Sequence, residues 1–215
     1  MLGVETLILI PFIMKYQQFD TPTKWVFYYI LSSVIFAAGS AILAEIFRNN
    51  MWFFSVMHFV QFVILSVFYY LCINNPKIKT VIKIMPAIIL IVFALDFFKI
   101  EGIRSYNSIS AGIKSIIILA YGAIFFLQLL ADKALIERAI YINSLPVFWY
   151  NAGLFLYFCS TFLFSLSYNL IQGSGIGNLE MTLTLISINY IVGIISMILL
   201  YIGLSKIKRF GYADN

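Results

Sequence analysis

Six stretches of this chain, residues 24–47, 52–73, 81–98, 108–131, 146–171 and 181–204, are almost continuously apolar. A helix needs about 20 such residues to cross the hydrocarbon of a bilayer. The bilayer interior offers backbone N–H and C=O groups no partner but each other, so a crossing segment must be a helix or part of a closed barrel. Runs of this length predict an all-α, polytopic membrane protein. A seventh run, residues 2–16, is shorter and carries Glu5 and Pro11. Counted as a crossing, it makes a single domain over residues 1–215, a seven-transmembrane-helix bundle. No Lys or Arg precedes that run and no small-residue cleavage site follows it, so it is expected to stay in the mature protein.

Composition agrees. The chain is 62% hydrophobic and 11% charged, where soluble domains carry about 25% charged residues. The formal charge of +5 does not point to nucleic acid, because the basic residues sit in short gaps between apolar runs and not along one face. Those gaps do predict an orientation. With the N-terminus outside, Lys15, Lys24, Lys77, Lys79, Lys83, Lys133, Arg138, Lys206, Lys208 and Arg209 fall on the cytoplasmic side, and Arg48, Lys99 and Arg104 outside. Lys114 lies within a run. Such a bias over short loops is the positive-inside pattern, with the C-terminus cytoplasmic. Tyr28, Tyr29, Tyr69, Tyr70, Trp149 and Tyr150 near the cytoplasmic ends, and Trp52 near an external one, are expected in the interfacial aromatic belts. The richness in Ile, Phe, Tyr, Asn and Lys fits an AT-rich bacterial genome, and hence a multi-pass protein of a bacterial inner membrane.

No connection is long enough for a second domain, so any activity resides in the membrane or in a partner. The chain has no Gly-x-Ser-x-Gly, no His-Glu-x-x-His and one histidine. No enzyme activity, cofactor or metal is expected. Residues 173–177 are glycine-rich but lack the Lys-Ser/Thr of a phosphate loop. A retinal protein would need its lysine in the middle of the seventh helix, where Ile188 to Val192 stand. Val26-Phe27-Tyr28-Tyr29 and Val147-Phe148-Trp149-Tyr150 open the second and sixth helices alike. Continued, that alignment sets Ser40 against Thr161, as a parallel repeat would.

Polar groups inside hydrocarbon are costly and mark structure or function. Asn107, Ala111, Lys114, Tyr121 and Gln128 share one stripe of the fifth helix, which should face the bundle interior. Ser55, His58 and Gln61 share one on the third. A lysine at that depth either snorkels to the external surface or is held inside, with Asp96 as its expected partner and Glu45 nearby. Glu45, His58, Gln61, Asp96, Lys114 and Tyr168 lie at similar external depth on helices two through six. They form the expected ligand-binding set, with Phe54, Phe97, Tyr106 and Phe164 as aromatic wall. Thr184 is placed at the same depth, on a stripe with Glu180 and Ser187. The ligand would be small and polar or amphipathic. It would not be strongly cationic if Lys114 is charged and unpaired. Ala37 to Ala44 form a small-residue patch suited to close helix packing.

Phe148-Trp149-Tyr150-Asn151-Ala152-Gly153, running on to Tyr157-Phe158 and Ser160-Thr161-Phe162, resembles the sixth helix of small seven-helix membrane proteins of Bacteroidetes-type bacteria. The resemblance implies a sensory role beside separate signalling partners, and assigns no residues. The residues themselves leave three readings open. The first is a receptor-like or sensory protein signalling through a cytoplasmic or membrane partner. The others are a small-solute or ion transporter and a structural subunit of a membrane complex. A polar set confined to one side favours the first, because a transporter needs access from both.

The orientation predicts that a reporter or cysteine label at Gly175 is external, and that labels at Lys79, Lys133 and Tyr212 are cytoplasmic. A cytoplasmic label at Gly175 would reverse the topology.

Overall fold

The computed structural model describes residues 2–102, 106–133, 135, 141–174 and 179–207. Arg104, Arg138, Gly175, Lys208, Arg209 and Tyr212 lie outside the described residues. Among those described there is no strand, and seven α-helices are bounded. They are α1 (Leu2–Lys15), α2 (Thr21–Phe47), α3 (Met51–Cys72), α4 (Pro76–Leu95), α5 (Ser108–Leu130), α6 (Pro146–Ser174) and α7 (Leu179–Ser205). The last six are long and apolar enough to cross a membrane. The 14 residues of α1 reach about 21 Å at 1.5 Å per residue, less than the bilayer hydrocarbon.

Caps, not hydropathy, set the helix starts. The Asp20 carboxylate accepts from the Thr23 N–H at 3.0 Å, and Pro22 occupies the first turn, so α2 begins at Thr21. The Asn75 side chain accepts from the Lys77 N–H, with Pro76 at the first helical position. Helix α4 therefore begins five residues before the apolar run at 81. Lys77, Lys79 and Lys83 lie on its first turns and not in a loop, where their charges had diluted the hydropathy. At its other end α4 widens into a π-helical turn, Asp96–Ile100. This stops at Gly102, whose φ of +87° suits a residue without Cβ.

Helix α6 is central, packing most extensively on α7 and α5, while α2 packs on α3. Glycines set the α6–α7 approach. A Cβ on Gly153 would lie 2.9 Å from the Ser196 carbonyl oxygen, and one on Gly203 would lie 2.5 Å from the Tyr150 ring. The Ser196 hydroxyl donates to the Gly153 carbonyl at 2.8 Å across the same seam.

The end of the bundle that holds the α1–α2 and α3–α4 connections is filled. Phe12, Tyr29, Ile30, Leu65, Phe68, Tyr69, Phe125, Tyr150 and Leu154 are all buried there. This corrects the aromatic-belt expectation for Tyr29, Tyr69 and Tyr150. Adjacent helical residues point about 100° apart, so one of each pair turns inward. Tyr70 is exposed and Tyr28 half-buried. Three side-chain hydrogen bonds here run between helices. The Tyr69 hydroxyl donates to Asn151 Oδ1 at 2.8 Å, Asn151 Nδ2 donates to the Gly122 carbonyl at 3.1 Å, and Gln128 Nε2 donates to the Cys72 carbonyl at 3.0 Å.

The tight seam predicts that Gly153→Ala lowers the thermal stability of the detergent-solubilised protein, by about 1–3 kcal/mol from overpacking. Gly3→Ala, with nothing within 4 Å of the added methyl, is the control and should leave the melting temperature unchanged or raise it.

Candidate functional site

At the other end, which holds the α2–α3 and α4–α5 connections, the helices separate around a cavity of about 630 Å³. Five helices and the segment before α5 line it. Successive inward positions of α2 give Ser33, Phe36, Ala37, Ser40, Ala41 and Ala44, the small residues making room. Helix α3 adds Phe54, His58 and Gln61, and α6 adds Tyr157, Thr161, Phe164 and Tyr168. Asn189 and Tyr190 come from α7, Glu5 from α1, and Tyr106 from the segment before α5. At the floor, Gln61 Nε2 donates to Ser33 Oγ at 3.2 Å. Below that bond lie the buried side chains of Tyr29, Ile30, Phe62 and Leu65.

His58 connects the cavity to Lys114, a buried lysine of α5. Lys114 is 1% exposed. Its Nζ lies 2.6 Å from His58 Nδ1, and it sits 5.5 Å from the centroid of the Phe158 ring. With Nδ1 accepting from the lysine, the imidazole proton sits on Nε2. Rings hold the imidazole from three sides, Phe36 at 5.4 Å, Phe54 at 6.3 Å and Tyr106 at 6.5 Å between centroids. Tyr106 also packs edge-on against Tyr168 at 5.0 Å and Phe164 at 6.0 Å.

Asp96 is not the partner of Lys114. It is fully buried, on the π turn, and its Oδ2 accepts from both the backbone N–H and the hydroxyl of Ser110. Glu101 accepts from the Ser108 hydroxyl and, at 3.3 Å, from the Ile109 N–H. Two carboxylates thus satisfy the first turn of α5, where the unpaired N–H groups and the helix dipole favour negative charge. Burial pushes the Glu101 carboxyl above the usual range, and the neighbouring Asp96 adds to this. The Ser108 and Ile109 donors oppose it.

Of the six residues expected at the site, His58, Gln61 and Tyr168 line the cavity, and Lys114 lies directly behind His58. Asp96 does not line it and caps α5 instead. Glu45 does not line it either: it lies about 100° around α2 from Ala44, which borders the cavity. Among the expected aromatics Phe54, Tyr106 and Phe164 line the cavity, and Phe97 does not. Thr184 and Ser187 are exposed and bond their own helix. Glu5, Tyr157, Thr161, Asn189 and Tyr190 were not expected. For Glu5 the signal was present, a carboxylate inside an apolar run. A second recess, of about 570 Å³, lies at the opposite end and is lined mainly by Phe126, Leu129, Leu130, Ile142 and Phe148.

Compared with family models, curated proteins and solved structures, the chain matches none. What the cavity can do is therefore read from its own chemistry. It combines a broad aromatic wall with few polar groups spread over several helices, the make-up of a pocket for a small molecule. Among its described lining residues there is one carboxylate, one imidazole, and no Lys or Arg.

The separation of Lys114 from Asp96 has a measurable consequence. Lys114→Met and Asp96→Asn should change stability independently, the double variant matching the sum of the singles within about 0.5 kcal/mol. Lys114→Met should be nearly neutral, because it replaces a buried amine that has no carboxylate partner with an apolar side chain of similar length. His58→Leu should cost about 1–3 kcal/mol, because it leaves the buried amine without its imidazole partner. Thermal or denaturant unfolding in detergent checks all four.

Proposed function

We propose that this chain is a receptor-like or sensory protein of a bacterial inner membrane. Its N-terminus is outside and its C-terminus cytoplasmic, and the cavity takes a small ligand from the external side. In this reading α1 completes seven crossings, with Glu5 in the outer half. Binding shifts the arrangement of the helices around the pocket, and a separate cytoplasmic or membrane partner reads the change.

The observation that carries the proposal is the cavity's single-sided build. A transporter would need a path past the midplane, and Tyr121, Gln128 and Asn151 are the polar residues available to line one. None of them borders the cavity. Asn151 and Gln128 are instead engaged in bonds that tie helices together, and the packed aromatic residues occupy the space between. A ligand held above such a floor can alter helix positions without passing through. The loop charges support the orientation, and the resemblance of the sixth helix supports the sensory role.

Accessibility separates receptor from transporter. In a background carrying Cys72→Ala and Cys159→Ala, Ala37→Cys and Thr161→Cys should react with a charged, membrane-impermeant thiol reagent only from the external side. Reaction from both sides, in intact cells and in inverted vesicles, would favour alternating access. Reaction from the cytoplasmic side alone would invert the orientation.

A further inference from the structure

The cavity contains two polar atoms that the protein leaves unanswered. Glu5 is 7% exposed and lines the cavity, and its Oε2 has no hydrogen-bond partner. Asn189 Oδ1, on α7, is buried in the same lining and also has none. Both are acceptors. A buried acceptor without a donor costs free energy, and a buried carboxylate costs more. No Lys or Arg is among the described lining residues, and Lys114 is directed at His58. Tyr157 on α6 and Tyr190 on α7 line the same cavity, and the Tyr29 and Tyr157 hydroxyls lie within the electrostatic reach of the carboxylate.

A carboxylate and an amide oxygen in one aromatic-lined cavity suit an organic ammonium. The carboxylate supplies the counter-charge, the amide oxygen accepts an N–H, and the rings attract the cation through their quadrupoles. The remaining lining, Phe36, Phe54, Phe164 and the alanines of α2, suits a hydrocarbon tail. The cavity is also open along its side. Ala41, Ala44 and Tyr190 line it and are exposed. The 27 residues of α2 extend about 40 Å, roughly twice the length of α1 beside it. That opening would admit a tail from the bilayer.

The geometry points to an amphipathic amine as the ligand, a protonated amino group on Glu5 and Asn189 with its apolar chain along the α2 wall. This inference rests on the reading of the cavity as a ligand pocket and names the ligand's chemical class. It replaces the expectation of a ligand that avoids positive charge, which assumed that Lys114 faced the cavity. Two sources share this chemistry, the ethanolamine headgroup of a membrane lipid and a freely diffusing alkylamine.

The test uses the full-length protein in a nonionic detergent, and in nanodiscs of phosphatidylglycerol alone or with phosphatidylethanolamine. Octylamine should raise the melting temperature of the detergent-solubilised protein by several degrees, while octanoate and sodium chloride at equal concentration should not. Glu5→Gln should weaken the apparent affinity for octylamine on the order of tenfold or more. If phosphatidylethanolamine stabilises the protein in nanodiscs and competes with octylamine, the bilayer is the source. If octylamine acts and phosphatidylethanolamine does not, the ligand is a free amine. Equal stabilisation by octanoate, or affinity unchanged in Glu5→Gln, overturns the assignment. Should Glu5→Gln fail to fold, Ala37→Trp fills the tail space without touching the carboxylate and should abolish the octylamine shift; persistence of the shift also overturns the assignment. Failure of these arms alongside external-only thiol labelling would reject the amine and keep the one-sided pocket. Labelling from both sides would reject the receptor reading whatever the ligand.

Discussion

The contact between the buried Lys114 amine and His58 Nδ1, at 2.6 Å, fixes how α3 and α5 meet at the site end of the bundle. The lysine reaches His58 only if α3 and α5 keep their rotation and height. Their height at this end follows from α5, whose first turn is held by the two carboxylates on the α4–α5 connection. The rotation follows from the buried stripe of Asn107, Ala111, Lys114 and Tyr121. Asn107 adds a second tie, donating to Ser55 Oγ at 2.9 Å one turn above His58. The imidazole that lines the cavity is thereby held in place by a contact made outside its wall.

Much of the architecture was legible in the sequence because the bilayer imposes a length on each apolar run. The inward stripes of α3 and α5 were legible for the same reason: polar residues at helical spacing within hydrocarbon turn toward protein. The ends and pairings were harder to read. Hydropathy placed the start of α4 at residue 81, where the Asn75 cap and Pro76 put it at 76, because lysines in a first turn look like loop. Depth alone grouped Glu45 and Asp96 with the pocket. Depth says nothing about rotation, and a step of one residue from Ala44 to Glu45 is enough to leave the cavity. Asp96 was drawn to the wrong partner because a widened π turn, which no apolar pattern announces, aims it at the backbone of α5.

Glu5 shows the converse limit. It sits in the one run too short to be read with assurance, and a carboxylate there reads first as an interfacial group. Its importance emerges only when α1 is seen between α2 and α7, where a residue four positions into a short helix meets a cavity formed by much longer ones. The chemistry of the pocket thus depends on the element whose sequence signal is weakest.

The side-chain bonds that tie α3 to its neighbours divide the bundle mechanically. At one end Gln128 clamps the last residue of α3, and Asn74 two residues beyond it, to α5. At the other, Asp96 and Glu101 pin the connection after α4 to the start of α5. Midway, Asn151 fastens α6 to both α3 and α5. These four helices behave as a stator: sliding or turning any one of them breaks hydrogen bonds at a buried site. On the open side α2 is held to α3 by the Gln61–Ser33 bond and, near its far end, by Asn50 on Ser40. Helix α7 stays with α6 through the glycine seam and the Ser196–Gly153 bond, so an occupant of the pocket would displace α1 and α2. A partner that reads the occupied state would grip that moving sector, at the end where Tyr16 and Tyr28 join α1 to α2.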